Sequence, residues 1–106
     1  MTEDNKLAIE QDIVRMLKTV YDPEIPVNVY DLGMIYEIDV HDNADVDVTM
    51  TLTAPNCPAA DFIVEDVKMK VEAVKGVGQV SIHLTFEPMW NRSMMSEEAL
   101  VELGFL

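Results

Sequence analysis

Three segments in which apolar and polar residues alternate constrain the fold of this chain more than any other feature. Side chains of a β-strand point alternately to the two faces of a sheet, so each segment is expected to form a strand with one buried face. The positions between the apolar ones carry mostly threonine, serine, histidine and charged residues, which predicts a sheet covered on one side only. The apolar positions are Met34, Tyr36, Ile38 and Val40 in the first segment, Val46, Val48, Met50 and Leu52 in the second, and Val80, Ile82, Leu84 and Phe86 in the third.

Two longer segments, residues 7–20 and about 58–75, have the apolar spacing of helices. Asp22-Pro23 is expected to stop the first helix, because the residue before a proline is forced out of the α region. A third, short helix is expected from Ser96 as N-cap to Gly104 as C-cap. The order α-β-β-α-β-α predicts an α+β fold, a two-layer sandwich with the helices on one face of a small mixed sheet.

Composition limits the size of the protein and the class of its partners. The 106 residues, of which 49% are hydrophobic, suffice for a single domain over 1–106, with 96–106 as its short C-terminal helix and tail. Seven basic and 20 acidic residues give a net charge of −13, which disfavours binding to nucleic acids and to anionic membranes. The sequence shows no secretory signal, and its single cysteine excludes an internal disulfide, so we expect a reducing, cytoplasmic setting.

Cys57 is the first candidate for chemistry. It stands between the second strand and the second helix, in the run Thr53-Ala54-Pro55-Asn56-Cys57-Pro58. If Pro58 is the first helical residue, Cys57 is the N-cap, where amide groups and the helix dipole favour the reactive thiolate, although Asp61 opposes this. The alternative is a small buried hydrophobe, as most free cysteines are. The polar, proline-bracketed turn around Cys57 favours a function.

The segment Asp22–Leu32 is the second candidate. It has two prolines and neither a helical nor a strand period, which predicts an ordered loop. Its carboxylates, Asp22, Glu24 and Asp31, could supply oxygen ligands or accept a proton beside a thiol. Taken alone, the residues favour a structural role, with Asp22 ending a helix and Asp31 preparing the turn at Gly33.

The remaining candidates are the two histidines and a group of methionines near the C-terminus. His41 in the hairpin loop and His83 on the polar face of the third strand have no partner at ligand spacing, so both are predicted to be solvated. The methionines around Trp90 indicate either an adaptable contact surface or core filling. The candidates for contact with a partner protein are Met89, Trp90, Arg92, Met94 and Met95.

Two runs resemble the signatures of the metal–sulfur cluster assembly family, which includes SufT, PaaD and MIP-type factors. They are Asp22-Pro23-Glu24-Ile25-Pro26-Val27-Asn28-Val29-Tyr30-Asp31-Leu32-Gly33-Met34-Ile35-Tyr36 and Thr51-Leu52-Thr53-Ala54-Pro55-Asn56-Cys57-Pro58. A weaker match over residues 88–99 is similar to the tail of stand-alone SufT-like members. The PaaD branch often has extra C-terminal cysteines, and their absence here points to the SufT-like branch.

The resemblance implies a fold similar to the C-terminal domain of NifU, although the CxxC pair of that domain is absent here. It implies a role in iron–sulfur protein maturation. Because one chain offers a single thiolate, we expect a transient iron–sulfur cluster or iron as cargo, or a homodimer that offers two thiolates. The acidic surface is expected to attract basic patches on iron–sulfur assembly proteins and client apo-proteins. Cys57 is carried over as the reactive cysteine and metal-ligand candidate, and the positions that support it are Asp22, Glu24, Asp31, Thr53 and Asn56.

Three mechanisms are open at this point. One thiolate per chain falls short of the four protein ligands that a cluster commonly takes, which favours loose binding and release. Alternatively, the protein is a metal-free adaptor between clients and the assembly machinery, and Cys57 only shapes a pocket. A cysteine-dependent enzyme would need a general base, for which His83 is the only plausible residue. Because His83 is expected on the polar face of its strand, away from the helices, we expect the protein not to be an enzyme.

Overall fold

The computed structural model describes residues 2–22, 25–53 and 60–105. The elements follow the predicted order α-β-β-α-β-α, with one short 3-10 helix added before the last α-helix. They are α1 (Glu3–Leu17), β1 (Ile35–Val40), β2 (Val46–Met50), α2 (Ala60–Glu72), β3 (Val80–Leu84), the 3-10 helix Arg92–Met94 and α3 (Glu97–Glu102).

The sheet has β2 at its centre, antiparallel to β1 and parallel to β3. The parallel pair needs a crossover connection, which α2 provides. The predicted small mixed sheet is therefore confirmed. In this topology the start of β1 and the ends of β2 and β3 lie at the same end of the sheet, which we call the loop end.

Helices α1 and α2 pack on one face of the sheet and form the core with it. The apolar stripes predicted for both helices are confirmed, because their central residues are fully buried. Each fully buried aliphatic side chain of this kind stabilises a fold by about 1.5–3 kcal/mol. The fully buried residues of the two helices and of β2 are Ile13, Leu17, Ile63, Val67, Val71, Val48 and Met50.

Helix α1 begins and ends earlier than its apolar stripe predicts. Its first turn is capped by Thr2, whose hydroxyl oxygen accepts a hydrogen bond from the Asn5 amide at 3.1 Å. The helix ends well before Asp22-Pro23, so the prediction that this pair stops it is wrong. The chain instead leaves the helix so that Val20 enters the core, where its carbonyl accepts the Val29 amide at 2.8 Å.

A bulge in β1 corrects the predicted face of Tyr36. Ile35 is paired with Met50, and Ile38 is paired with Val48, so both isoleucines share the core face although two residues separate them. An extra residue in one strand shifts the alternation in this way. Tyr36 is half-buried and, unlike Ile35 and Ile38, does not pack against the core, which the alternation predicts it should.

The other elements are shorter than predicted at the ends that the structure describes. Strands β2 and β3 stop two residues before the predicted limits at Leu52 and Phe86, and α2 stops at Glu72. The predicted start of α2 at Pro58 lies outside the described residues. Leu84, predicted to face the core, is 44% exposed because β3 is an edge strand.

The outer face of the sheet carries two carboxylates directly opposite each other, Asp39 on β1 and Asp47 on β2. Like charges at such positions repel. Both histidines of the chain approach Asp47: His41 Nε2 lies 2.6 Å from its Oδ2 and His83 Nε2 lies 2.9 Å from its Oδ1. These contacts offset the repulsion wherever the imidazoles donate a proton.

The hydrogen bond with Asp47 raises the pKa of His41, and the charges of Asp39 and Asp45 add to this effect against a smaller loss of hydration. The hydrogen bonds from His41 and His83 in turn lower the pKa of Asp47. A group with a raised pKa stabilises the fold below its unfolded pKa, here about 6.5, and this contribution is lost as the pH rises through the folded value.

Gly33 brings the C-terminal segment onto the loop that precedes β1. Its φ of +81° lies in the left-handed region, and a Cβ at this position would overlap the backbone carbonyl of Met94. Gly104, at the end of α3, has the same φ of +81°, but a methyl group added there would meet no atom within 4 Å. A side chain at either position would strain the backbone, but only a side chain at position 33 would also overlap another residue.

We expect Gly104→Ala to lower the free energy of unfolding by about 1 kcal/mol, because only strain is added. Gly33→Ala should lower it by about 2–4 kcal/mol, because the C-terminal segment must also move away from the new methyl group. Urea denaturation of both variants and the wild type measures the difference. Equal losses in the two variants would show that the contact with Met94 is not tight.

His41 owes its raised pKa chiefly to the hydrogen bond with Asp47. Replacing Asp47 by asparagine removes the negative partner, so the pKa of His41 should fall towards its ordinary value. The loss of stability that the wild type shows as the pH rises through the folded pKa of His41 should shrink with it. NMR titration of the imidazole protons, in the presence of EDTA, reports the pKa directly.

Glu65→Gln is the matched control, since it removes one carboxylate from α2, on the other side of the sheet. It should leave the titration of His41 unchanged. An unchanged midpoint in Asp47→Asn would refute the assignment of the shift to this contact.

Candidate functional site

The described parts of the segments that carry the sequence motifs meet at the loop end of the sheet. The Thr51 amide donates to the Met34 carbonyl at 2.8 Å, which extends the pairing of β1 and β2 beyond the last strand residue. On the other side of β2, the Thr85 amide donates to the Met50 carbonyl at 2.9 Å. The loop before β1, the residues after β2 and the C-terminal segment are thus joined by backbone hydrogen bonds.

The loop before β1 is ordered over its described residues, as its sequence predicts. Val27, Val29 and Leu32 are buried in the core, and Asn28 forms an isolated antiparallel bridge with Tyr21. A loop with three apolar anchors has little freedom to move. It holds a fixed shape on which polar side chains can be positioned.

Asp31 is buried and has a structural role in this loop. Its carboxylate accepts a hydrogen bond from the Asn28 side-chain amide at 2.8 Å, and its own amide donates to the Asn28 side-chain oxygen at 2.8 Å. Its backbone carbonyl accepts the Ser96 amide at 2.8 Å, which ties the loop to the start of α3. The turn-forming interpretation of Asp31 is thus supported by its contacts.

The other predicted support positions are described only in part. Asp22 is buried, with 5% of its surface exposed. A buried carboxylate requires polar partners, and Asp22 interacts with other groups of the protein. Thr53 is half-buried and is the last described residue before the second helix. Glu24, Asn56 and Cys57 lie outside the described residues.

The C-terminal segment, residues 85–96, packs against both β1 and the loop before it. The indole nitrogen of Trp90 donates to the Leu32 carbonyl at 2.7 Å. The Tyr36 hydroxyl donates to the Pro88 carbonyl at 2.7 Å, and the bulge in β1 frees Tyr36 for this contact. The weaker sequence match, over residues 88–99, is therefore in direct contact with the first of the two longer runs.

The five candidates for partner contact differ in exposure. Met95 is buried and fills the core, the alternative that the sequence leaves open, and Met94 is half-buried beside Tyr36. Met89 is 64% exposed, and the Arg92 guanidinium lies over the Phe105 ring, 4.1 Å from its centre. Met89 and Arg92 are therefore the two exposed residues of the five, and Trp90 is half-buried.

An apolar groove of about 480 Å³ lies on the surface where the loop before β1 meets residues 90–105. Phe105 at its edge is 48% exposed. Grooves of this composition are typical of surfaces that contact other proteins or apolar ligands. The groove is lined by Ile25, Pro26, Leu32, Trp90, Arg92, Met95, Leu103 and Phe105.

A second cleft, of about 270 Å³, lies between the same loop and α3 and is acidic. The carboxylates of Asp31, Glu98 and Glu102 are among its lining residues. Because Asp31 is engaged with Asn28, its carboxylate contributes charge to this cleft while it also shapes the loop.

The outer face of the sheet holds a group of possible metal ligands that sequence spacing alone does not reveal. One ligand atom from each of Asp39, His41 and Asp47 lies within 4.8 Å of the others. His83, predicted to be solvated, is indeed exposed, but it contacts Asp47 from β3. The sequence does not reveal this group because it does not give the register of the strands. Alternation shows which residues share a face of the sheet, but it does not show which residues of neighbouring strands are paired.

The helices in the described part of the chain are too short and too polar to cross a membrane.

Comparison with known proteins gives a consistent family. The model of a family described as iron-sulfur cluster assembly protein matches residues 10–82. A Porphyromonas gingivalis protein named Fe-S protein maturation auxiliary factor is 75% identical over 94% of this chain and 95% of that protein. The Bacillus subtilis Fe-S protein maturation auxiliary factor YitW is 35% identical over 92% of this chain and 95% of its own length.

A solved structure agrees with the sequence matches. The crystal structure of a domain of unknown function, DUF59, from Bacillus anthracis has a TM-score of 0.91 and 31% sequence identity, and the match covers 99% of this chain and 100% of that one. The predicted α+β fold and the resemblance drawn from the two sequence runs are both confirmed. The chain belongs to the iron–sulfur cluster assembly protein family, as a SufT-like member.

Proposed function

We propose that this protein acts in the maturation of iron–sulfur proteins and that it carries an iron–sulfur cluster, or iron, as transient cargo on the Cys57 thiolate. The cargo is received from assembly proteins and released to client apo-proteins in the cytoplasm. The relatives that are 75% and 35% identical to this chain are both named as Fe-S protein maturation auxiliary factors. The two matches cover 94% and 92% of this chain. They are not named as enzymes, which agrees with the expectation that this chain is not an enzyme.

The observation that carries the proposal is the convergence of the motif segments at the loop end of the sheet. Strand β2 ends at Met50, and the described residues up to Thr53 lead towards Cys57 in sequence. The same end receives the loop before β1, through the Met34 carbonyl, and the C-terminal segment after β3, through the Thr85 amide. If the three segments together form one binding surface, this would explain why their motifs occur together in one chain.

The number of thiolates supports release rather than storage. Clusters are commonly held by four protein ligands, and one chain offers a single thiolate. Two chains related by a two-fold axis would offer two thiolates and would still leave positions on the cluster for an incoming ligand. Incomplete ligation lowers the barrier to transfer, because the acceptor protein has fewer bonds to displace.

The charge of the protein supports the choice of partners. A net charge of −13 attracts basic patches on assembly proteins or clients and accelerates their encounter with the protein. This attraction is screened within about 8–10 Å at physiological salt, so it steers the partners and does not hold them. Apolar contacts must then provide the affinity.

The apolar groove favours a second candidate function, that of a metal-free adaptor. Its lining combines an aromatic ring, an arginine and a methionine, Trp90, Arg92 and Met95, and such residues are enriched at protein interfaces. In this mechanism the protein bridges a client and the assembly machinery, and Cys57 shapes the surface without binding iron. The two candidates differ in what the loss of Cys57 changes.

We expect Cys57→Ser to abolish most of the binding of iron and sulfide when the protein is reconstituted anaerobically with both. It should also abolish cluster delivery to a purified apo-acceptor, because the serine hydroxyl is not ionised at neutral pH and is a poor ligand for iron. Bound iron, bound sulfide and the visible absorption of the cluster measure the first effect. The recovered activity of the acceptor measures the second.

Met69→Leu is the matched control, because it removes a different sulfur atom from a side chain that is 60% exposed on α2. It should leave both readouts at the wild-type level. Equal iron and sulfide content in Cys57→Ser and wild type, with equal delivery, would overturn the cysteine mechanism.

The adaptor function predicts that Phe105→Ala weakens binding to the purified cluster scaffold or to the apo-acceptor about tenfold, or 1.4 kcal/mol. Phe105 is half exposed, so the variant should fold normally. Isothermal titration with either partner measures the affinity, and Cys57→Ala should bind that partner as the wild type does.

Leu7→Ala provides the comparison, since Leu7 is 53% exposed on α1, outside the groove. It should not change the affinity. If Phe105→Ala and Leu7→Ala bind the partner equally well, the groove is not the docking surface and the adaptor mechanism loses its support.

A further inference from the structure

We propose that the outer face of the sheet binds a divalent transition-metal ion through Asp39, His41 and Asp47, with His83 as a positioning residue. This site is independent of the proposed function, because it uses none of the residues of the loop end. Asp47 is the second residue of β2, so roughly 10 Å of strand separates it from Met50 at the loop end.

The geometry of the three ligands suits one ion. His41 Nε2 lies 2.6 Å from Asp47 Oδ2 and 3.7 Å from Asp39 Oδ2. Ligands bound to one ion at about 2.0–2.2 Å lie roughly 3 Å from each other, so the group needs only small side-chain rotations to close around it. The three side chains are between 38% and 53% exposed, so water can complete the coordination.

The register of the sheet gives an independent reason for a cation here. Asp39 and Asp47 are paired directly across β1 and β2, a placement in which like charges repel. A divalent ion between the two carboxylates would offset this repulsion.

The ligand types indicate the class of ion. Imidazole nitrogen suits zinc, iron, copper and nickel, whereas magnesium and calcium prefer sites made of oxygen atoms alone. One imidazole with two carboxylates therefore favours a first-row transition metal in its divalent state. The exposure of the site and its open positions favour reversible binding over permanent retention.

His83 completes the arrangement from the third strand. Its Nε2 is 2.9 Å from Asp47 Oδ1, the oxygen that does not contact His41. With its proton on that nitrogen, His83 donates to Asp47 and fixes the orientation of the carboxylate. Partners of this kind commonly change metal affinity 10- to 100-fold.

Other charged groups surround the site and set the conditions for the test. Lys6 forms an ion pair with Asp42 at 2.5 Å, and Asp45 lies in the same hairpin loop. A protein of charge −13 also attracts cations without a specific site. Titrations are therefore made in excess magnesium, which saturates such diffuse binding, and above the pKa of His41, where protons do not compete.

The experiment is a calorimetric titration of untagged protein with zinc, in a Cys57→Ser background so that the thiol contributes nothing. We expect one equivalent to bind. His41→Asn and Asp47→Asn should weaken its binding at least tenfold, and His83→Asn should weaken it about tenfold. Glu65→Gln, which removes a carboxylate from the other side of the sheet, should have no effect.

Manganese provides a second readout that does not depend on the variants. Its paramagnetism should broaden the NMR signals of Asp39, His41, Asp47 and His83 at substoichiometric concentration, while those of Glu98 and Glu102 in the acidic cleft remain sharp. Unchanged zinc affinity in His41→Asn, or broadening centred on other residues, would overturn the site. Neither result would bear on iron and sulfide binding by Cys57, which is measured separately.

Discussion

Backbone hydrogen bonds on both sides of β2 hold the sheet and the segments around it together. The strand holds β1 antiparallel and β3 parallel, and this combination places three chain segments at one end of the sheet. The hydrogen bonds of Thr51 and Thr85 continue the pairing past the last strand residues. A change that loosened β2 would therefore disturb the loop, the C-terminal segment and the core together.

The elements of the fold can be predicted from sequence because each has a periodic side-chain pattern that burial enforces. Their limits cannot be predicted in this way, since these depend on single hydrogen bonds. The Thr2 cap starts α1 before its apolar stripe begins, and the contact of Val20 with Val29 ends it early. The face predicted for Tyr36 is wrong because one inserted residue in β1 leaves no periodic signal.

The candidate site is predictable only where a motif is continuous in sequence. Position 33 requires glycine because the backbone of Met94 packs against it, 61 residues further along the chain. No single sequence motif contains both residues. The contact of both histidines with Asp47 likewise requires the register of three strands. Such contacts depend on the tertiary structure and cannot be predicted from the spacing of residues in the sequence.

On these proposals the chain would separate two kinds of metal chemistry by ligand type and by place. A thiolate suits the iron of a cluster, whereas imidazole with carboxylates suits a hydrated divalent ion, so neither site competes strongly for the ligand set of the other. The acidic surface raises the local concentration of cations and of basic partners alike. Specificity must then come from short-range contacts, because the long-range field does not discriminate. These are the cysteine ligand, the apolar groove and the His–Asp pairs on the outer face.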